Sequence, residues 1–287
     1  MPIKQLSHKG SSNRIQLDRL YISVDPIDIK DKVVIDIEDV VDYCFCPYYY
    51  DTKMHYKDNY KNITNRNLYD KLLRKTFYSY LRAFSEGRLE NTLEFLKYSW
   101  GKEWIKSKKV KDLIAIHSSY KNDTYENLRK KGIDSIFKFD ELMSNDKQFP
   151  IVVNHKYEIE IIPNVILTGT YEYIRELTVN DQKIIQIVKF VTDYNRFNTN
   201  ISKKFDLELI AMAYSFKETF NVGYFQVVTI DIYMKQIFVN TYTEKEYDLL
   251  KRTVRDTVIS IQNDLRCISP NKCCYHCEYR DICINKL

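Results

Sequence analysis

The stretch CYHCEYRDIC, from Cys274 to Cys283, sets three thiols at spacings of two and five intervening residues. It holds no core-forming apolar run that would explain such a density of cysteine. Three thiolates this close together converge on one metal centre, with Cys274-x2-Cys277 as the usual carrier pair. Zinc accepts thiolate ligands in this way, and so does an iron–sulfur cluster, whose ligand spacings vary between families. The spacing does not separate the two. A fourth ligand must come from Cys46, Cys44, Cys267, Cys273 or His276. Disulfides would need an oxidising compartment. The opening MPIKQLSHKGSSNR has no apolar core of an export signal, so an intracellular, cytoplasmic setting is expected.

Five of the seven cysteines lie at or beyond Cys267, while Cys44 and Cys46 stand far upstream in YCFCPYYY, Tyr43 to Tyr50. Residues 1–36 are polar and irregular and end in VVID; 37–60 read as a short helix with an aromatic cluster. Leu68, Leu72, Phe77, Leu81 and Phe84 recur near a period of 3.6, and Leu93, Leu96, Trp100 and Trp104 continue helical spacing. No proline interrupts the chain between Pro47 and Pro150, so 37–149 reads as a helical subdomain. Beyond Pro150, VVNHKYEIEII, VILTGTYEYI and KIIQIVKFV read as strands. A helical segment, FDLELIAMAYSFKETF, then precedes the strands YFQVVTIDIY and QIFVNTY. Thr243 and Glu246 have capping-box spacing and open a last helix with Tyr247, Leu250, Val254 and Val258 on one face. The core thus occupies 150–266 and the cysteine-rich end 267–287.

The hydrophobic share of 44% over 287 residues suffices for a sizeable core, and no apolar run reaches membrane-spanning length. A membrane partner is therefore not expected. The net charge of +5 permits nucleic-acid binding without requiring it. Abundant Lys, Asn, Ile and Tyr with only six glycines fit an AT-rich genome, such as that of a bacteriophage or a low-GC bacterium.

The cysteine pattern resembles that of the RecB-like nucleases of the PD-(D/E)XK superfamily that carry a 4Fe–4S cluster. This branch includes the CRISPR-associated adaptation exonucleases and the AddB nuclease domain. Its members place one cysteine in a tyrosine-rich segment before the core and Cys-x2-Cys-x5-Cys after it. Here CPYYY from Cys46 and the Cys274, Cys277 and Cys283 set match that arrangement. The resemblance spans about 37–283. It implies an α/β fold, a PD-(D/E)XK-type mixed central sheet flanked by helices, with an N-terminal helical subdomain and a C-terminal iron–sulfur clasp. It also implies that Cys46, Cys274, Cys277 and Cys283 are the ligands of a 4Fe–4S cluster, zinc being the alternative. Such a clasp joins the two ends of the domain. Loop-closure models give a restraint of this length a stabilisation on the order of 5 kcal/mol.

The resemblance also implies where catalysis would sit. Active members use carboxylates from two adjoining strands to hold Mg²⁺ or Mn²⁺, and a lysine beside them acts on the attacking water. Aligning LTGTYE puts Glu172 at the first carboxylate. IVKFVT then puts Lys189 where a second carboxylate belongs and Val191 where the lysine belongs. The next helix keeps Tyr214 but has Ile210 in place of a glutamine, and Tyr69 or Asp70 falls near the place of an upstream histidine. A cation in the metal's first shell repels Mg²⁺, and Val191 has no donor for water, so Mg²⁺ or Mn²⁺ binding and hydrolysis are not expected. Two other arrangements compete: a shifted motif through Asp193 and Asn195, and a site in which Glu158 and Glu160 join Glu172.

Basic residues cluster in the helical part, where Lys71, Arg74, Lys75 and Arg82 lie near one stripe beside Tyr78 and Tyr80. Further along come Lys102, Lys106, Lys108, Lys109 and Lys111. Cations bind phosphate by counterion release and tyrosines stack on bases. The stripe is thus a candidate DNA surface, with a solvated helix face as the plain alternative. These readings converge on an inactive RecB-like protein that binds DNA or scaffolds a DNA-processing, replication or transcription complex. It would work in the cytoplasm, a bacterial host's if phage-encoded. An active exonuclease with a divergent site and a protein–protein adaptor are the competing readings.

Overall fold

The last residue of VVID, Asp36, turns a strand into a helix. Its carboxylate accepts from the Glu38 amide at 2.9 Å and so caps the helix that follows. The computed structural model describes residues 29–55, 65–88, 92–111, 124–144, 148–179, 181–192, 206–222 and 224–268, with Cys274, Cys277, Tyr279 and Cys283 in the tail. Among these lie strand β1 (Val33–Asp36) and helices α1 (Ile37–Phe45), α2 (Pro47–His55), α3 (Asn65–Ser85), α4 (Thr92–Lys111) and α5 (Tyr125–Ser144). Then come β2 (Gln148–Ile162), β3 (Val165–Val179), β4 (Gln182–Val191), α6 (Leu207–Phe220), β5 (Gln226–Asp231), β6 (Gln236–Asn240) and α7 (Glu244–Gln262). The fold is α/β, a mixed six-stranded sheet with helices on both faces.

The sheet forks at β3. One edge of β3 pairs antiparallel with β2 along nearly its whole length. Its other edge is shared: β1 runs parallel to Val165–Thr168, and β4 runs antiparallel to Tyr173–Val179. Gly169 to Glu172 therefore lie between the ends of two diverging strands. Past Val188, β4 leaves β3 and continues beside β5 alone, in parallel, to Val191. The strand β1 is an addition to the sequence reading, which left VVID within an irregular start. Val33 donates its amide to Asn164 at the β2–β3 turn, where Asn164 adopts a left-handed φ of 65°.

Two apolar cores flank the sheet. On one face α1, α6 and α7 cover Leu167, Tyr171, Ile174, Ile187 and Val227. On the other, α3, α4 and α5 cover Tyr173, Val188, Phe190, Val228 and Ile230. The helical stretch read as a subdomain thus shares its core with the strands. Tyr171 and Tyr173 pack into opposite cores although strand alternation would place them on one face. The switch falls at Glu172. The short helix expected over 37–60 is two helices broken at Cys46, whose backbone is extended (φ −165°) as the following proline favours.

Candidate functional site

Glu172 sits at the fork with its side chain 13% exposed and turned toward α3. Arg74, on the face of α3 that meets the sheet, fills the space before it. Arg74 Nη1 donates to Glu172 Oε1 at 2.5 Å, Nε to Asp70 Oδ2 at 2.9 Å and Nη2 to the Phe190 carbonyl at 2.9 Å. The Phe190 amide in turn donates to Glu172 Oε2 at 2.9 Å, and Thr192 Oγ1 donates to Asp70 Oδ1. Three oxygens from a helix and two strands thus converge on one guanidinium. Burial works against the charge on Arg74, but Glu172 and Asp70 outweigh it and hold its proton more tightly than usual. Burial pushes the Glu172 carboxyl up, with Arg74, the Phe190 amide and Lys189 pulling against it.

Lys189 takes the other face. Its side chain is 4% exposed, and the ammonium reaches Asp206 Oδ2 at 3.0 Å and Glu208 Oε2 at 2.6 Å. Asp206 is also the cap of α6 and accepts from the amides of Glu208 and Leu209 at 3.1 and 3.2 Å. Val191 continues β4 beside Asp231 of β5. Tyr214 does not approach Glu172; its ring packs on Tyr247 of α7, 5.4 Å between centroids. Ile210 is fully buried in the same core. Tyr69 is buried against Ser135, so Asp70 is the residue that joins the site.

Glu158 and Glu160 are exposed and pair with Thr168 and Ile166, which puts Glu158 four residues along β3 from Glu172, about 13 Å. They do not gather with Glu172. Asp193 and Asn195 lie outside the described residues.

The basic stripe divides. Arg74 is spent inside the fold and does not face solvent as a phosphate ligand. Lys71, Lys75 and Arg82 are exposed, but Lys75 pairs with Glu103 at 2.9 Å. Tyr80 is buried and Tyr78 is half-buried beside Arg74, so neither ring is an open platform. Periodicity placed Arg74 with the lysines. The signal for its true role was the Asp70–Arg74 spacing of four, which pairs opposite charges along one helix face.

The two ends of the chain meet at α1, α2 and the tail. Tyr43 donates its hydroxyl to the Leu265 carbonyl at 2.6 Å, and the Tyr48 amide donates to the Cys267 carbonyl at 3.3 Å. Arg266 pairs with Asp51 at 3.2 Å, and the Tyr49 and Tyr279 rings lie 5.3 Å apart. Buried Cys46 stands at the break between α1 and α2. Burial raises the Cys283 thiol, and nearby Cys46 and Cys274 raise it further, so these three sulfurs share one neighbourhood. The Cys277 amide donates to the Cys274 carbonyl at 3.4 Å.

Cys44 points elsewhere: its sulfur lies 3.8 Å from Thr257 Oγ1 on α7. Cys267 is exposed, while Cys273 and His276 fall outside the described residues. Among the described residues no group of three or more His, Cys, Asp or Glu side chains stands at metal-holding geometry. Thiolates are ligands that zinc and iron–sulfur clusters both accept.

Among the described residues no helix is long and apolar enough to cross a membrane. No family profile matches the chain, and no curated protein matches it. The solved structure of SSO0001 aligns over 91% of this chain and 91% of its own, at 13% identity and a TM-score of 0.39. A likeness at that level carries no functional argument.

Proposed function

We propose that this chain is a non-catalytic relative of the RecB-like PD-(D/E)XK nucleases that binds DNA or scaffolds a DNA-processing complex, its ends joined by an iron–sulfur clasp. The observation that carries the reading is the guanidinium of Arg74 among Glu172, Asp70 and the Phe190 carbonyl. Carboxylate and carbonyl oxygens converging from separate elements are the donor set of a hard divalent cation. Here a planar organic cation with matched N–H donors takes those oxygens instead. A metal ion would have to displace Arg74 from its paired contacts with Asp70 and Glu172. It would also lack a partner for water activation, because Val191 has no donor and Lys189 is committed to Asp206 and Glu208 on the opposite face.

For the clasp, Cys46, Cys274, Cys277 and Cys283 would hold the cluster. Bound there, a cluster supplies a cross-link between the chain ends and a redox-active centre. The chain's own part is clearer. Pro47 sets the extended backbone that presents Cys46, and the Tyr43, Tyr48 and Arg266 contacts bring the tail to it.

A nuclease assay on linear single- and double-stranded DNA with Mg²⁺ or Mn²⁺ tests the proposal. No degradation is expected from wild type or from Glu172→Ala. Cleavage by wild type that Glu172→Ala abolishes would establish the exonuclease reading instead. An inert protein that also fails to bind DNA would favour the adaptor.

A further inference from the structure

The outer face of α4 combines charge and open aromatic surface in a way that α3 does not. Between Thr92 and Lys111 the chain has six lysines and two glutamates, against a net charge of +5 for the whole protein. One of those glutamates, Glu103, is already neutralised: Lys75 and Lys106 donate to it at 2.9 and 3.2 Å and, against burial, draw its carboxyl below the usual range. By sequence the helix thus carries four more lysines than glutamates. Helical spacing aligns Tyr98, Lys102 and Ile105 on one exposed stripe. Tyr98 is 69% exposed, with the Lys102 ammonium 6.0 Å from its ring centroid. Across the seam on α5, Phe137 is 46% exposed under the Lys97 ammonium at 4.7 Å.

We infer that this α4–α5 face is a binding track for single-stranded DNA, with Tyr98 and Phe137 as stacking platforms and Lys97 and Lys102 as phosphate ligands. The inference rests on the DNA-binding reading and gives it a location. Two exposed rings, each with a lysine ammonium over it, match the two recognisable parts of an unpaired strand, an exposed base face and a phosphate. Duplex DNA offers the phosphates but keeps its base faces stacked, so the rings select the single strand. An acidic protein segment would use the lysines and leave the rings without a role.

Fluorescence anisotropy with a labelled thymidine oligonucleotide and a hairpin duplex, on the full-length protein, tests this. Wild type should prefer the oligonucleotide. Tyr98→Ala with Phe137→Ala should weaken that binding about 30-fold or more while leaving its salt dependence intact. Lys97→Glu with Lys102→Glu should weaken it and flatten the slope of log affinity against log salt by about 1.4, the share of two phosphates on a single strand. All four side chains are exposed or half-exposed, and an unchanged melting temperature confirms that the variants fold. Wild-type DNA binding that neither pair of substitutions alters, or an equal affinity for the duplex, overturns the track and leaves the DNA reading standing. No wild-type binding at low salt overturns both.

Discussion

Arg74 lies on α3 within about 20° of Leu81 when the helix is viewed end-on, so its stem runs over the core and its head reaches the sheet. There it is held by Glu172, Asp70 and the Phe190 carbonyl. Removing one member of such a set costs more than removing the set, because the partner charges stay buried. Arg74→Met should lower unfolding stability by about 3–5 kcal/mol in a urea titration. Adding Glu172→Leu should recover a large part of that loss, since the uncompensated carboxylate goes with it. Additive losses in the double variant would show that the two side chains are not coupled. The resemblance singled out Glu172, after Gly169, and Lys189 as a cation where it would place a carboxylate. That Arg74 fills the space before Glu172 was not legible. A spacing of four between Asp70 and Arg74 is common on solvated helices, and only the sheet's position shows which way the pair faces.

The elements were read with uneven success, for physical reasons. Long strands and helices with clear periods, such as β2, β3 and α7, stand where apolar spacing put them. The α7 cap is one such case, the Thr243 amide donating to Glu246 at 2.8 Å. β1 was missed because four residues give no period, and its pairing partner lies more than a hundred residues away on β3. The break at Cys46 was hidden by a run of aromatics, although Pro47 marks it. Packing between α4 and α5 hinges on Gly132, where an added Cβ would fall 2.1 Å from the Trp100 ring. Gly132→Ala gains about 1 kcal/mol in helix propensity but must displace a fully buried indole. A lower melting temperature is expected, with tryptophan emission shifted to the red as Trp100 is forced from the core. A higher melting temperature would mean that the seam is looser than its contacts indicate.

At the scale of the molecule, a forked sheet carries two helical layers, and the chain ends meet beside α1 and α2. The resemblance implied joined ends, and Tyr43, Tyr48 and Asp51 do meet Leu265, Cys267 and Arg266. The choice of Cys46 over Cys44 gains a physical reason from the break before Pro47 and from the Cys44 contact with Thr257. Protein purified without oxygen should be brown, with about four irons per chain, as a four-thiolate cubane requires. Cys46→Ala should remove the colour and lower stability, whereas Cys44→Ala and Cys273→Ala should do neither. Stoichiometric zinc without iron would assign the clasp to the other metal. Under the proposed function, Arg74 fills the seat that a catalytic metal ion would need. Titrating Mn²⁺ into the protein and following the free ion by electron paramagnetic resonance measures this directly. Wild type and Glu172→Ala should leave the free Mn²⁺ signal equally undiminished; one tight Mn²⁺ site in wild type, lost in Glu172→Ala, would show that the seat is open to a metal ion.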